Sequence, residues 1–157
     1  MELDDILKLV PYGTPSQFAI DKFVNEISMY REIYPRNSDD FRKNYQRSVT
    51  SLKWAGQDER FEKAVQMSKA NELDDSNEVL LKLTEFNEFP PYPVYERLAI
   101  NYRKQHRYLD EYQCCQEFLK EKSKHEYNDF VYDKFQKRLE KAKLLYKKQQ
   151  ARENSKK

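Results

Sequence analysis

Two glycines, Gly13 and Gly56, are all that a chain of 157 residues contains. Glycine supplies the positive-φ backbone that tight β-hairpins and ligand-cradling loops require. A chain so poor in it favours helices over sheets. The same scarcity excludes the phosphate loop, the dinucleotide-binding fingerprint and the Gly-x-Ser-x-Gly elbow, each of which needs glycines at fixed short spacing.

Apolar residues recur at helical spacing along the chain. Leu3, Ile6, Leu7 and Val10 predict a short helix ended by Pro11 and Gly13. Thr14 as cap, Pro15 at the first helical position and Gln17 closing a capping box start a second. Its broad apolar face holds Phe18, Ala19, Phe23, Val24, Ile27, Tyr30 and Ile33, and Pro35 stops it. Ser38 caps a third helix, with Asp39 and Asp40 in its first turn and Phe41, Tyr45, Val49 and Leu52 as its stripe. Gly56 fits the left-handed position after that helix, and Asp58 opens another through Phe61, Ala64, Val65 and Ser68. Residues 39–70 therefore read as a helical hairpin with antiparallel arms.

Beyond a loop from Asn71 to Asp75, the run Asp75-Ser76-Asn77-Glu78 caps a helix carrying Val79, Leu80, Leu83 and Phe86. Pro90-Pro91-Tyr92-Pro93 interrupts the chain rigidly. Helices follow from about Pro93 to Gln105 and from about Tyr108 to Lys122, with a turn near His106. A last helix starts near Asn128 and runs toward Gln150, with Val131, Phe135, Leu139, Ala142 and Tyr146 as its apolar stripe. The expectation is one all-α domain of about seven helices over residues 1–150, ending in a long basic C-terminal helix and a frayed basic tail, 151–157.

Composition narrows the function classes. Charged residues make up 36%, yet aromatics reach 14%, enough large apolar groups for a folded core. No apolar run approaches the roughly 18 residues that span a bilayer. The start, Met1-Glu2-Leu3-Asp4-Asp5, is acidic where a signal peptide is basic. Cys114 and Cys115 are adjacent and cannot readily bridge, which fits a reducing compartment, and a cytoplasmic location is expected.

Neither His106 nor His125 has a ligand at helical metal spacing beyond ordinary carboxylates, and Cys114-Cys115 lacks the separation of a zinc half-site. Asp39-Asp40 and Asp74-Asp75 stand at helix starts, where the helix dipole accounts for acids. No catalytic residue, cofactor or metal site is expected.

Charge is uneven. Residues 134–157 hold ten of the 29 Lys and Arg but only Glu140 and Glu153 of the 27 acids, so a net of +8 sits on a body of net −6. Lys134, Lys137, Arg138, Lys141, Lys147 and Lys148 lie along one helix and could track phosphates. No known DNA- or RNA-binding signature accompanies them.

Tyr95, Leu98, Ala99, Tyr102 and Tyr108 carry the clearest pattern. Their spacing resembles the tetratricopeptide repeat, in which a small residue lets two helices approach and aromatics fill the space around it. Residues 91–105 are similar to short stretches of this kind in varied bacterial and phage proteins. The resemblance covers about residues 92–122, with a weaker copy in 39–70, where Ala64 takes the small position of the second helix. Two positions depart from the pattern: Glu111 stands where a small residue belongs, and His106 replaces the usual turn glycine. The resemblance implies a peptide- or protein-binding face on first helices, here Glu96, Ile100, Arg103 and Lys104. Glu96 and Ile100 replace the Lys and Asn of chaperone-binding members, which argues against capture of a C-terminal carboxylate.

The leading expectation is a non-catalytic protein-binding or adaptor module. The alternative is a small phage or mobile-element regulator acting on nucleic acid, or on a nucleic-acid enzyme, through the basic helix. A third is a helical accessory subunit using exposed aromatics such as Tyr12, Tyr34 or Trp54. Partner identity and self-association stay open.

Overall fold

The computed structural model describes residues 2–10, 14–85, 91–122 and 127–156. These form seven helices: α1 (Leu3–Lys8), α2 (Gln17–Ile33), α3 (Asp39–Lys69), α4 (Leu73–Leu83), α5 (Pro91–Lys104), α6 (Tyr108–Lys120) and α7 (Asp129–Ser155). No strand occurs among the described residues, so the all-α expectation is met. Backbone contacts gather into two compact units. The described residues up to Lys63 form the first, and Ala64–Glu85 with those from 91 onward form the second.

In the first unit, Ser16 and not Thr14 caps α2, its hydroxyl accepting from the Ala19 N–H. Ser38 caps the next helix as the sequence suggests, accepting from the Phe41 N–H. The core gathers Ile6 and Val10 with Ile20, Phe23 and Ile27 of α2 and Val49 and Leu52 of α3. Pro11, Tyr12 and Gly13 lie outside the described residues, as do Phe86, Pro90 and His125.

The expected hairpin over 39–70 is absent. α3 runs unbroken for 31 residues through Gly56 and Asp58. An interior glycine costs about 1 kcal/mol against alanine, which a packed helix absorbs. The reversal comes instead at Asn71, whose φ is 64°.

The geometry of that reversal recurs in the second unit. His106, 35 residues after Asn71, has φ 58°. The Glu72 N–H reaches Met67 O and the Asn71 N–H reaches Ser68 O; Arg107 to Tyr102 and His106 to Arg103 repeat both bonds. Each set is a Schellman closure of a helix end. Buried residues recur at the same interval: Ala64 and Ala99, Ser76 and Glu111, Leu80 and Cys115, Leu83 and Phe118. Ala64 thus lies in the last turns of the unbroken α3, 35 residues before Ala99 of α5. Ser76 and Asn77, read as caps, lie buried inside α4, which opens earlier at Leu73. Asn37 has φ 61° another 34 residues upstream. There the burial does not repeat, since Met29, 35 before Ala64, is exposed.

A buried polar network joins the end of α3 to α4 and α5. Asn101 accepts from the Ser68 hydroxyl at 2.6 Å and donates to Ser76 Oγ at 2.9 Å and Asn77 Oδ1 at 3.0 Å. The Ser76 hydroxyl in turn donates to Ala64 O at 2.8 Å, so a small side chain is needed at both ends of that approach. A fully satisfied network of this kind fixes one arrangement, because any slip strands a buried donor or acceptor. α5 begins at Pro91, earlier than expected; prolines suit a first turn that has no N–H to pair. α7 continues to Ser155 through the good helix formers Ala151, Arg152 and Glu153, so the tail is helical through most of 151–157.

Two substitutions test the repeat. Ala99→Leu forces a larger side chain into a fully buried site and should lower stability by about 1–3 kcal/mol. His106→Gly relieves a left-handed φ and should raise it by about 0.5–1 kcal/mol. Urea unfolding midpoints that stay put for Ala99→Leu, or fall for His106→Gly, would contradict the assignment.

Candidate docking surfaces

The four residues expected on a binding face all lie on α5, and two of them, Glu96 and Arg103, are engaged within the chain. Arg103 donates to the fully buried Glu111 carboxylate through Nε at 3.0 Å, and its Nη2 lies 2.8 Å from Oε2. Arg138 of α7 donates to the same carboxylate through Nη1 at 3.0 Å. Glu111 therefore departs from the small-residue pattern because two guanidiniums hold it. Glu96 pairs with Lys134 of α7 and accepts from the Tyr92 hydroxyl at 3.0 Å. Ile100 is half-buried and Lys104 is exposed.

An aromatic cluster backs these pairs. Phe118 of α6 stacks on Phe135 of α7 with ring centroids 4.0 Å apart, and Tyr132 and Tyr92 lie against them. The buried residues of α7 are Tyr132, Phe135 and Ala142; Leu139 and Tyr146 of the expected stripe are half-buried. The inner face of α7 is thus closed onto α5 and α6, and two of the four expected binding residues are consumed in closing it.

The six cations proposed to track phosphates divide accordingly. Lys134 and Arg138 are engaged within the chain. The Lys134 ammonium is pushed above its ordinary range by its hydrogen bond to Glu96, with the Tyr92 hydroxyl adding to the effect. Lys137, Lys141, Lys147 and Lys148 are exposed.

A surface that the sequence pattern concealed lies in the first unit. Phe18 was placed on the apolar face of α2, yet it is 79% exposed, and Ile33 is exposed as well. The buried line is Ile20, Phe23 and Ile27. Phe18, Lys22, Asn25 and Met29 follow a second line at i, i+4, i+7 and i+11, on another side of α2. Between α2 and α3 runs a groove of about 300 Å³, lined in part by Phe18, Phe23, Leu52 and Trp54. Trp54 is 46% exposed at its edge. Glu26, which also lines it, accepts from the Ser48 hydroxyl. Tyr34 is half-buried, its ring against Tyr30.

Both thiols are free and buried. Burial pushes Cys114 well above its ordinary range and Cys115 up to about 12. Neither is therefore a thiolate near neutrality, the form that attacks or binds metal. The His106 ring bonds the Tyr108 hydroxyl at 2.7 Å. Among the described residues, no group of three His, Cys, Asp or Glu is placed to hold a metal ion, and no helix is long and apolar enough to cross a membrane.

The Glu111 cluster yields a sharp expectation. Arg103→Met with Arg138→Met strands a buried carboxylate and should cost about 3–5 kcal/mol. Adding Glu111→Leu removes the stranded charge and should restore most of that loss. Equal stability of the double and triple variants in urea unfolding would contradict the geometry.

Comparison with protein-family models, with curated proteins and with solved structures finds no match for this chain.

Proposed function

We propose that this chain is a non-catalytic protein-binding module whose second unit is a tetratricopeptide-like pair of helical repeats. The 35-residue recurrence of left-handed turns and buried positions supports the repeat reading. The resemblance placed the binding face on α5. With Glu96 held by Lys134 of α7 and Arg103 by Glu111 of α6, the docking surface on this reading lies elsewhere.

The aromatic-edged groove of the first unit carries the proposal. A phenylalanine 79% exposed beside a half-exposed tryptophan, in a groove also lined by Phe23 and Leu52, exposes apolar area that a partner would cover. A partner segment seats an apolar side chain between Phe18 and Trp54, and no covalent step is involved. The free thiols persist in a reducing compartment, so a cytoplasmic setting suits the chain.

Affinity isolation from the source cell, with the native chain and Phe18→Ser/Trp54→Ser in parallel, tests this. Both positions are exposed, so circular dichroism should be unchanged. The native chain should retain one protein near stoichiometry, and the variant should lose it, with affinity weakened by about tenfold or more. Equal recovery by both chains, or diffuse nuclease-sensitive recovery, would contradict the proposal.

A further inference from the structure

The outer face of α7 is unlike its inner face. With about 100° per residue, Phe130, Lys137, Lys141, Leu144 and Lys148 fall within about 60° of one another. Phe130 is 73% exposed and Leu144 46%. They stand two heptads apart, so they recur on one line of the helix. Lys137, Lys141 and Lys148 are exposed, and none enters an ion pair with another described residue, whereas Lys134 and Arg138 on the same helix are paired inward. Asp133 and Glu140 border one edge of the stripe, where Glu140 accepts from Gln136.

We propose that this stripe docks an acidic amphipathic helix of a protein partner. Apolar residues on one line of a helix are what a neighbouring helix packs against, and the charges beside them select the partner. Here the flanking charges are mostly lysines that enter no ion pair among the described residues, so glutamates and aspartates on the incoming helix complement them. A nucleic-acid backbone fits less well. It makes no use of the apolar pair, and Asp133 and Glu140 at the edge repel phosphates. A helix places basic residues opposite those two acids and acidic ones opposite the lysines. This surface is additional to the groove of the first unit, and either can fail without the other.

The test uses the full chain and a labelled peptide of about three heptads with leucines on one face and glutamates beside them. Fluorescence anisotropy compares it with a scrambled peptide, single- and double-stranded oligonucleotides, and phosphatidylserine vesicles at physiological salt. The glutamate peptide should bind at least about tenfold more tightly than its scramble. Lys137→Glu/Lys141→Glu/Lys148→Glu should weaken it by about tenfold, and Phe130→Ser/Leu144→Ser by a similar factor. The charge-reversed chain should instead prefer a lysine version of the peptide. All altered positions are exposed, and circular dichroism should confirm unchanged helix content. Four results overturn the proposal: equal binding of the scramble, indifference to the Phe130 and Leu144 pair, tighter binding to an oligonucleotide or vesicle, or self-association lost in the same variants.

Discussion

A carboxylate buried between two guanidiniums governs the second unit. Taking Glu111 out of water costs several kcal/mol, and the loss is offset only where opposite charges meet it in good geometry. Arg103 arrives from α5 and Arg138 from α7, and Glu111 itself stands on α6. One residue thereby dictates the placement of three helices. The arrangement also determines which surfaces remain open, because the face of α5 that bears Glu96 and Arg103 is used in holding α7.

The same logic operates one repeat earlier with milder chemistry. Ser76 occupies the position that Glu111 occupies 35 residues later, and both are fully buried. Ser76 receives a hydrogen bond from Asn101 of the following helix, as Glu111 receives one from Arg138 of the helix after it. In each case a buried polar group on the second helix of a pair finds its partner on the next helix. An apolar contact tolerates small slips, whereas a buried donor or acceptor tolerates few.

Much of the helical content was legible because period-3.6 patterning and caps act locally. Ser38, Asn128 and the reversal at His106 needed only neighbours in sequence to be read. Gly56 misled for the same reason: its left-handed freedom signals a helix end, but freedom does not oblige the chain to use it. Asn37, Asn71 and His106 take left-handed φ values although none is glycine, while Gly56 lies inside α3. The expected break within residues 39–70 was therefore placed at Gly56, and the reversal lies after Lys69. Phe18 was assigned to the core because it lies close to the apolar arc of α2, and only packing against α1 and α3 decides which line is buried. The fate of Glu96 and Arg103 was hidden more deeply. Their partners Lys134 and Glu111 stand at separations that no periodic pattern reports. Glu111 looked like a defect in the repeat, and its neighbours in space turn it into the joint.

The central claim is that α7 is an integral part of the second unit, so that its inner face is permanently closed and only its outer face is offered to partners. Native-state hydrogen exchange across a low-denaturant series tests this most directly. The amides of Phe135 and Ala142 in α7 should exchange through the same opening as those of Leu98 and Ala99 in α5, with matching free energy and denaturant dependence. Exchange of the α7 amides through a separate, less costly, denaturant-insensitive opening would mean that the helix lifts away by itself, and would contradict the account.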